Sequence, residues 1–146
     1  MYKRILVPVD GSRTGDRGLA EAIKLAKSHR ARLCLLHVVD ESVLTLEVGA
    51  TMIEDLVASL VDNGRRILRK ADARARKQGL KPQSILVEKI TRGVADVIVG
   101  QARKFRADLI VMGTHGRRGV RRMVLGSAAE GVVRESPVPV LLIRAR

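Results

Sequence analysis

The stretch Gly113-Thr114-His115-Gly116, followed after nine residues by Gly126-Ser127, decides how the rest of the chain is interpreted. An uninterrupted apolar run, Leu109-Ile110-Val111-Met112, precedes it, and a helical pattern over 128–134 follows it. The pattern therefore predicts a buried strand, a glycine-punctuated loop and then a helix start. Glycine allows tight turns and close approach to a ligand, and the free N–H groups of a helix start attract anions. The stretch is typical of an anion-binding loop.

Positive charge dominates both this loop and the whole chain. The nine residues inside the stretch include four arginines, which we expect at the entrance of the site: Arg117, Arg118, Arg121 and Arg122. The formal net charge of the 146 residues is +13, and such a field attracts nucleotides, nucleic acids and acidic membranes in general. The alternative is that most of these side chains only cover solvated faces. With Tyr2 and Phe105 as the only aromatic residues, stacking platforms for single-stranded nucleic acid are not expected, and any nucleic-acid binding should be unspecific.

Length and composition favour one cytoplasmic domain over residues 1–146. No apolar run approaches the ~18 residues of a membrane span. The N-terminus enters a strand pattern directly, without the apolar stretch of a signal peptide. A single cysteine, Cys34, excludes an intramolecular disulfide framework and a cysteine metal cluster.

Short apolar runs alternate with helical patterns along the chain. Strands are predicted at Ile5–Val9, Leu33–Val39, Ser84–Glu88, Asp108–Met112 and Val138–Ile143. The first helix is predicted at 14–29 and the third at 93–104. The second is predicted to run from a capping box at Thr51–Glu54 to about Gln78, with Gly79 as its stop. A short fourth helix is predicted to begin at Ser127. Residues 40–50 lack a sustained period and are predicted as a loop.

This alternation predicts a three-layer α/β domain with a parallel sheet and right-handed crossovers. The third strand is polar, and Pro137 and Pro139 flank or interrupt the fifth, so both are expected at sheet edges. In such sheets ligands bind beyond the carboxyl ends of the strands, where the strand order reverses. If strand 1 lies beside strand 4, Asp10 and the Gly113 loop form opposite lips of one cleft.

Four segments resemble the universal stress protein family, in particular its nucleotide-binding branch, and the resemblance covers the whole chain. Ile5–Ser12 resembles the opening strand and turn of the family, and His37-Val38-Val39 its second-strand ending. The spacing Gly113-x2-Gly116-x9-Gly126-Ser127 matches the ATP-binding signature of the family without departure. Ser136–Ile143 resembles its closing strand.

The resemblance implies a Rossmann-like, adenine nucleotide alpha hydrolase-like fold, with an open five-stranded parallel sheet of order 3-2-1-4-5 and helices on both faces. It also implies a homodimer through the last strand, Val138–Ile143, and binding of ATP, with a role for Mg2+ left open. Carried over by position, the residues around the adenine and ribose are Pro8, Val9, Asp10 and Val39. Those lining the ribose and phosphates are Met112, Gly113, His115 and Gly116, with Gly126, Ser127 and Ala128 closing over the phosphates.

Each side chain at the predicted site also has a purely structural interpretation. Ser127 and Glu130 have capping-box spacing, so the hydroxyl either caps the helix, meets a phosphate or does both. The glycines of the signature are either turn residues or places where phosphate approaches. Asp10 either shapes its turn or, since a carboxylate repels phosphate, points at the adenine amino group, the ribose or a metal, with the adenosine end preferred. His115 is either a ligand contact or a solvent-facing side chain.

Three further residues are expected to be structural. His37 is predicted in the core, His29 at a helix end where an imidazole suits the helix dipole, and Cys34 as a small buried hydrophobe.

Three functions remain open at this stage. The first is a binding module in which ATP in the cleft modulates a dimeric stress-response protein. The second is a slow ATPase, which is less favoured because no P-loop lysine or evident base accompanies the loop. The third is a basic protein associated with nucleic acid.

Overall fold

A computed structural model describes residues 1–44, 49–116 and 124–145. The four arginines expected at the loop entrance, Arg117, Arg118, Arg121 and Arg122, lie outside the described residues. The strands are β1 (Arg4–Pro8), β2 (Arg32–Val38), β3 (Gln83–Val87), β4 (Leu109–Gly113) and β5 (Val140–Ile143). The helices are α1 (Arg13–His29), α2 (Ala50–Lys77), α3 (Val94–Phe105) and α4 (Ser127–Glu135), and a 3-10 turn covers Glu41–Val43.

The five strands form one parallel sheet of order β3-β2-β1-β4-β5, which confirms the predicted topology. The strand order reverses between β1 and β4. The β1–β2 ladder continues to Pro8↔Leu36, whereas the β1–β4 ladder covers Ile5↔Leu109 and Leu6↔Ile110. The two central strands therefore separate toward their carboxyl ends, where a crevice is expected in this type of sheet.

Apolar side chains are buried on both faces of the sheet, because helices cover both. On one face α1 and α2 pack against alternate strand residues such as Ile5, Val7 and Leu35. On the other face α3 and α4 pack against Leu6 and Ile110 and their neighbours. This two-sided burial is the physical reason for the continuous apolar runs in the strands. In the described part of the chain no helix is both long and apolar enough to cross a membrane.

Neither of the two predicted capping boxes is formed, although α4 begins at Ser127 as predicted. Helix α2 begins at Ala50 with Gly49 as N-cap, so Thr51 is already inside the helix and caps nothing. Helix α4 has Gly126 as N-cap without a side-chain hydrogen bond, which places Ser127 at the first helical position. In both cases a glycine with an extended backbone takes the cap position, one or two residues before the predicted hydroxyl. The second member of the α4 box, Glu130, pairs with Arg134 instead.

The element ends are mostly as predicted. Gly79 has a φ of 84° just after α2, which confirms it as a left-handed stop. Strand β5 lies at the sheet edge but begins at Val140, later than predicted, because Pro137 and Pro139 have no N–H to donate to the ladder. Arg30 and Arg106 end α1 and α3 with φ of 54° and 55°, a conformation usually left to glycine.

Candidate functional site

The first lip of the crevice is the turn that joins β1 to α1. Asp10 Oδ1 accepts a hydrogen bond from the Ser12 N–H at 2.9 Å, and Gly11 has a φ of 80°. Ser12 in turn caps α1, since its Oγ accepts from the Gly15 N–H at 3.0 Å. The carboxylate of Asp10 therefore shapes its own turn, as one of the two interpretations of this residue predicted.

The second lip is the loop that follows β4. The Thr114 N–H donates to the Ile143 carbonyl at 3.0 Å, and the Thr114 carbonyl accepts from the Gly126 N–H at 2.8 Å. His115 Nε2–H donates to the Val124 carbonyl, and its Nδ1 shares a hydrogen bond of 3.0 Å with Thr114 Oγ1. The imidazole thus joins the two ends of the loop. This role differs from both predicted alternatives for His115, which were a ligand contact and a solvent-facing side chain.

The two lips meet directly, as the topology predicts. Thr14 Oγ1 donates to the His115 carbonyl, and Ser12 Oγ lies 3.4 Å from the same oxygen. A Cβ on Gly116 would lie 2.8 Å from Asp10 Oδ2. Residues about a hundred positions apart in the sequence are therefore brought together at the separated ends of β1 and β4.

Close packing explains the absence of side chains at Gly113 and Gly126. A Cβ on Gly113 would lie 2.5 Å from Thr14 Oγ1, and one on Gly18 would lie 3.3 Å from the Gly113 N, so α1 sits tightly against β4. A Cβ on Gly126 would lie 3.0 Å from the Thr114 carbonyl oxygen. Gly126 has a φ of −59°, so close approach to the loop, and not a left-handed backbone, explains the missing side chain.

The N-terminus of α4 lies beside the second lip, to which the Gly126 N–H is hydrogen-bonded. The Gly126 N–H is used by Thr114, and the first bond back to Gly126 comes from Glu130. No described residue accepts a hydrogen bond from the N–H groups of Ser127, Ala128 or Ala129. Ser127 is exposed and Ala128 half-buried. These donors, at the positive end of the helix dipole, are suited to an anion.

The remaining predicted residues lie at the carboxyl ends of β1, β2 and β4. The side chains of Val9, Val39 and Met112 are only 5%, 2% and 6% exposed, and Pro8 is half-buried. The N–H groups of Val9 and Val39 donate to the Leu36 and Val87 carbonyls, both at 2.8 Å. The side chains at these positions are therefore apolar, and the N–H groups of Val9 and Val39 are already used within the sheet region.

Two residues of this region are not among the predicted site residues. Thr14, which contacts the His115 carbonyl, gives no sequence signal beyond its place in the first turn of α1. Buried His37 donates from Nδ1 to the Val9 carbonyl at 2.7 Å, which confirms its predicted place in the core. The predicted structural roles of His29 and Cys34 are also confirmed. His29 ends α1 and accepts from the Tyr2 N–H at 2.9 Å, while Cys34 is fully buried.

Ionisable groups and cavities add little to the crevice itself. Burial raises the pKa of the Cys34 thiol from 9.0 to about 11, so this side chain stays protonated and inert. Among the described residues no three His, Cys, Asp or Glu side chains are grouped as metal ligands. A surface groove of about 430 Å³ beside Leu68, Arg69, Asp72 and Ser84 lies against α2, away from the lips.

The chain is similar to several known proteins over nearly its whole length. Residues 1–144 match the model of the universal stress protein family. Universal stress protein MJ0531 of Methanocaldococcus jannaschii is 36% identical over 147 residues, which cover 99% of this chain and 83% of the relative. The solved structure of hypothetical protein MJ0577 superposes with a TM-score of 0.87 at 29% identity, covering 100% of this chain and 98% of that one. A universal stress protein in complex with cAMP superposes with a TM-score of 0.70 at 25% identity, covering 97% of each chain. The chain belongs to the universal stress protein family.

Proposed function

We propose that this protein is an ATP-binding module and that the crevice between β1 and β4 is its nucleotide site. The observation that carries the proposal is the uncapped start of α4, which the Gly126–Thr114 hydrogen bond holds next to the end of β4. A related universal stress protein was solved in complex with cAMP, which supports an adenine nucleotide as the ligand.

In the proposed arrangement the adenine and ribose lie over Pro8, Val9 and Val39. The phosphates lie at the start of α4, where the N–H groups of Ser127 and Ala128 and the Ser127 hydroxyl donate to them. Asp10 belongs at the adenosine end, because its carboxylate would repel the phosphates. The glycines at 113, 116 and 126 keep the loop backbone close enough to line the ribose and phosphates.

A Mg2+ ion would be held mainly by the phosphates of the nucleotide. The described lips offer one carboxylate, Asp10, and it is already hydrogen-bonded to the Ser12 N–H. Mg2+ keeps several waters and commonly binds through one or two carboxylates together with substrate phosphates. With Asp10 at the adenosine end, its carboxylate lies away from the phosphates and would not join such a site.

We propose binding, and not turnover, as the biochemical role. Phosphoryl transfer needs a group that orients the attacking nucleophile and cations that neutralise the developing charge. Asp10 serves its own turn and His115 is engaged at both ring nitrogens, so neither is presented to a water as a base. Nucleotide occupancy would then act on a dimer in the cytoplasm, with ATP hydrolysis far below the ~1–100 per second of kinases.

Ser127→Ala tests the phosphate end of the site. Since Ser127 is not the N-cap, we expect its loss to leave the unfolding free energy nearly unchanged. Loss of a hydrogen bond to a charged group should weaken ATP by ~1.5–3 kcal/mol, which is a ~10- to 150-fold rise in Kd. Isothermal titration calorimetry with ATP and with adenosine separates the two ends, because adenosine binding should not change.

Ser59→Ala is the matched control, because Ser59 is an exposed serine on α2 away from the crevice. It should bind ATP like the wild type. The proposed function is wrong if the wild-type protein binds no adenine nucleotide at millimolar concentration. The placement of the phosphates is wrong if Ser127→Ala and Ser59→Ala bind ATP equally well.

A further inference from the structure

A cluster of cations lies at the amino ends of the strands, opposite the crevice. We call Lys3, Arg4, Arg30, Arg32 and Arg106 the amino-edge patch. Lys3, Arg30, Arg32 and Arg106 are exposed and Arg4 is half-buried. Because the crossover helices run antiparallel to the strands, Arg30 and Arg106 at the ends of α1 and α3 come to the same edge as the strand starts.

The patch crosses three neighbouring strands. Arg4 and Arg32 are direct register partners on β1 and β2, and the Arg32 N–H donates to the Lys3 carbonyl at 2.8 Å. On the other side of β1, the Asp108 N–H donates to the Arg4 carbonyl at 2.9 Å, which places Arg106 two residues from this contact. Neighbouring strands lie ~4.8 Å apart, so the cations form a short row along the edge.

The charge of this row is not neutralised within the described protein. None of the five side chains forms an ion pair with a described carboxylate. The nearby acid, Asp108, uses its two carboxylate oxygens to accept the backbone N–H groups of Lys3 and Arg4 at 2.8 and 3.0 Å. The Arg4 guanidinium lies 5.1 Å from the centre of the Phe105 ring. Arg4 and Arg32, as like charges on neighbouring strands, repel each other.

Two of the arginines also carry a backbone cost. Arg30 and Arg106 have positive φ, where glycine avoids the steric penalty of a Cβ. Cations at helix C-termini favour the helix dipole, but Lys27, Arg103 and Lys104 already supply that charge in the last turns of the same helices. The dipole therefore does not account for arginine at the two left-handed positions.

We propose that the amino-edge patch binds the phosphate backbone of double-stranded DNA without reading base sequence. Guanidinium groups match phosphate in a bidentate geometry, and four of the five residues are arginine. A duplex carries one negative charge per ~1.7 Å of its axis, so a short row of cations meets several phosphates.

A single strand is a poorer fit because no aromatic platform is presented by the described residues: Phe105 is 6% exposed and Tyr2 stacks on His29. The patch lies at the opposite edge of the sheet from the crevice. DNA and nucleotide should therefore bind without competing.

The test compares two variants that each lose three positive charges. The patch variant is Arg30→Gly, Arg32→Gln and Arg106→Gly, in which the two glycines also relieve the positive-φ strain and so keep the protein folded. The control variant is Arg17→Gln, Arg66→Gln and Arg69→Gln, which removes exposed arginines on α1 and α2. Binding to a 20-base-pair duplex is measured by fluorescence anisotropy between 50 and 200 mM salt.

We expect the patch variant to flatten the log–log salt slope by ~2.7, which is ~0.9 for each of three lost phosphate contacts. At 0.1 M salt this corresponds to a ~8-fold weaker affinity per contact. The control should keep the wild-type slope, and saturating ATP should leave the DNA bound. The melting temperature of the patch variant should be at least as high as that of the control variant.

Several outcomes would overturn the proposal. Equal weakening of both variants would assign the binding to net charge alone, and absence of duplex binding at 50 mM salt would remove the site. Displacement by ATP would assign DNA to the crevice. Tighter binding to a single strand of the same length, or to vesicles rich in anionic lipid, would identify a different partner.

Discussion

His37 is a buried polar residue that connects the crevice to helix α2. Its Nδ1–H donates to the Val9 carbonyl, and its ring leaves no room for a side chain at position 64, where a Cβ would lie 2.6 Å from Cδ2. Gly64 is a poor helix former inside a 28-residue helix, and its packing against the imidazole explains its presence. His37 therefore holds the end of β1 by a hydrogen bond and determines how closely α2 packs at Gly64.

We expect His37→Leu to cost ~1–3 kcal/mol of unfolding free energy, because the buried Val9 carbonyl then loses its donor. His37→Asn should recover part of this loss, since the amide nitrogen of Asn is the closest match to Nδ1. Urea unfolding measures both variants, and calorimetry with adenosine shows whether the Val9 end of the crevice is disturbed. Equal stability of the Leu variant and the wild type would show that the hydrogen bond is not needed to hold this region.

At the scale of helices and strands, sequence patterns predict which elements exist better than how they begin. The Ser127–Glu130 spacing indicates a capping box, yet the start of α4 is set by a backbone hydrogen bond from Gly126 to Thr114, twelve positions earlier. That contact depends on how the loop folds back on β4, and a local pattern does not contain it. For the same reason a Gly126→Val variant would first disturb the Thr114 contact, and is a less direct test of ligand binding than Ser127→Ala.

Strand β5 is expected to form a homodimer interface. It pairs with β4 on one side only, and the second edge of the apolar segment Val140–Ile143 has no described neighbour. Leu141 on this strand is 36% exposed. A soluble protein usually blunts such an edge, and here the two prolines lie before the strand and leave its last residues unprotected.

Sedimentation velocity should therefore show a dimer at tens of micromolar protein. Leu141→Lys should shift it toward monomer, because charged side chains on an edge oppose pairing. Val133→Lys is a suitable control, since Val133 is an exposed apolar residue on α4 and 49% accessible. A wild-type monomer, or equal dissociation by both variants, would contradict an interface at β5.

Across the whole molecule, the alternation of buried strands with helices predicts the parallel α/β architecture, whereas the strand order, and with it the position of the crevice, is implied by the resemblance to the universal stress protein family. The glycine spacing likewise predicts that residues 113–116 and 126 lie together. The Thr14–His115 and His115–Val124 contacts do not follow from any spacing, since each joins segments that meet only in the folded chain. The exact site geometry is thus a tertiary property, even where its location is predictable.

Charge is unevenly distributed over the whole molecule. Helix C-terminal turns carry cations, such as Lys27 in α1 and Lys104 in α3, and these turns surround the amino-edge patch. Acids such as Asp16 and Asp96 lie in the first turns, toward the crevice. This arrangement suits the helix dipoles, but the formal net charge remains +13 and therefore opposes the compact state.

We expect the melting temperature to rise when NaCl is increased from ~10 to ~150 mM, because the Debye length falls from ~30 to ~8 Å and screens this repulsion. The four described ion pairs are exposed pairs within single helices and lose little, since such pairs contribute ~0–1 kcal/mol each. Each kcal/mol of relieved repulsion should add about 3 °C to the melting temperature of a chain of this size. Calorimetry in chloride salts avoids the exclusion effect of sulfate and phosphate, which stabilise proteins generally. The Arg30→Gly, Arg32→Gln and Arg106→Gly variant should show a smaller rise than the wild type, because it starts with less repulsion at the amino edge. A melting temperature that falls with salt in the wild type would show instead that attraction between the acidic and basic ends outweighs the repulsion.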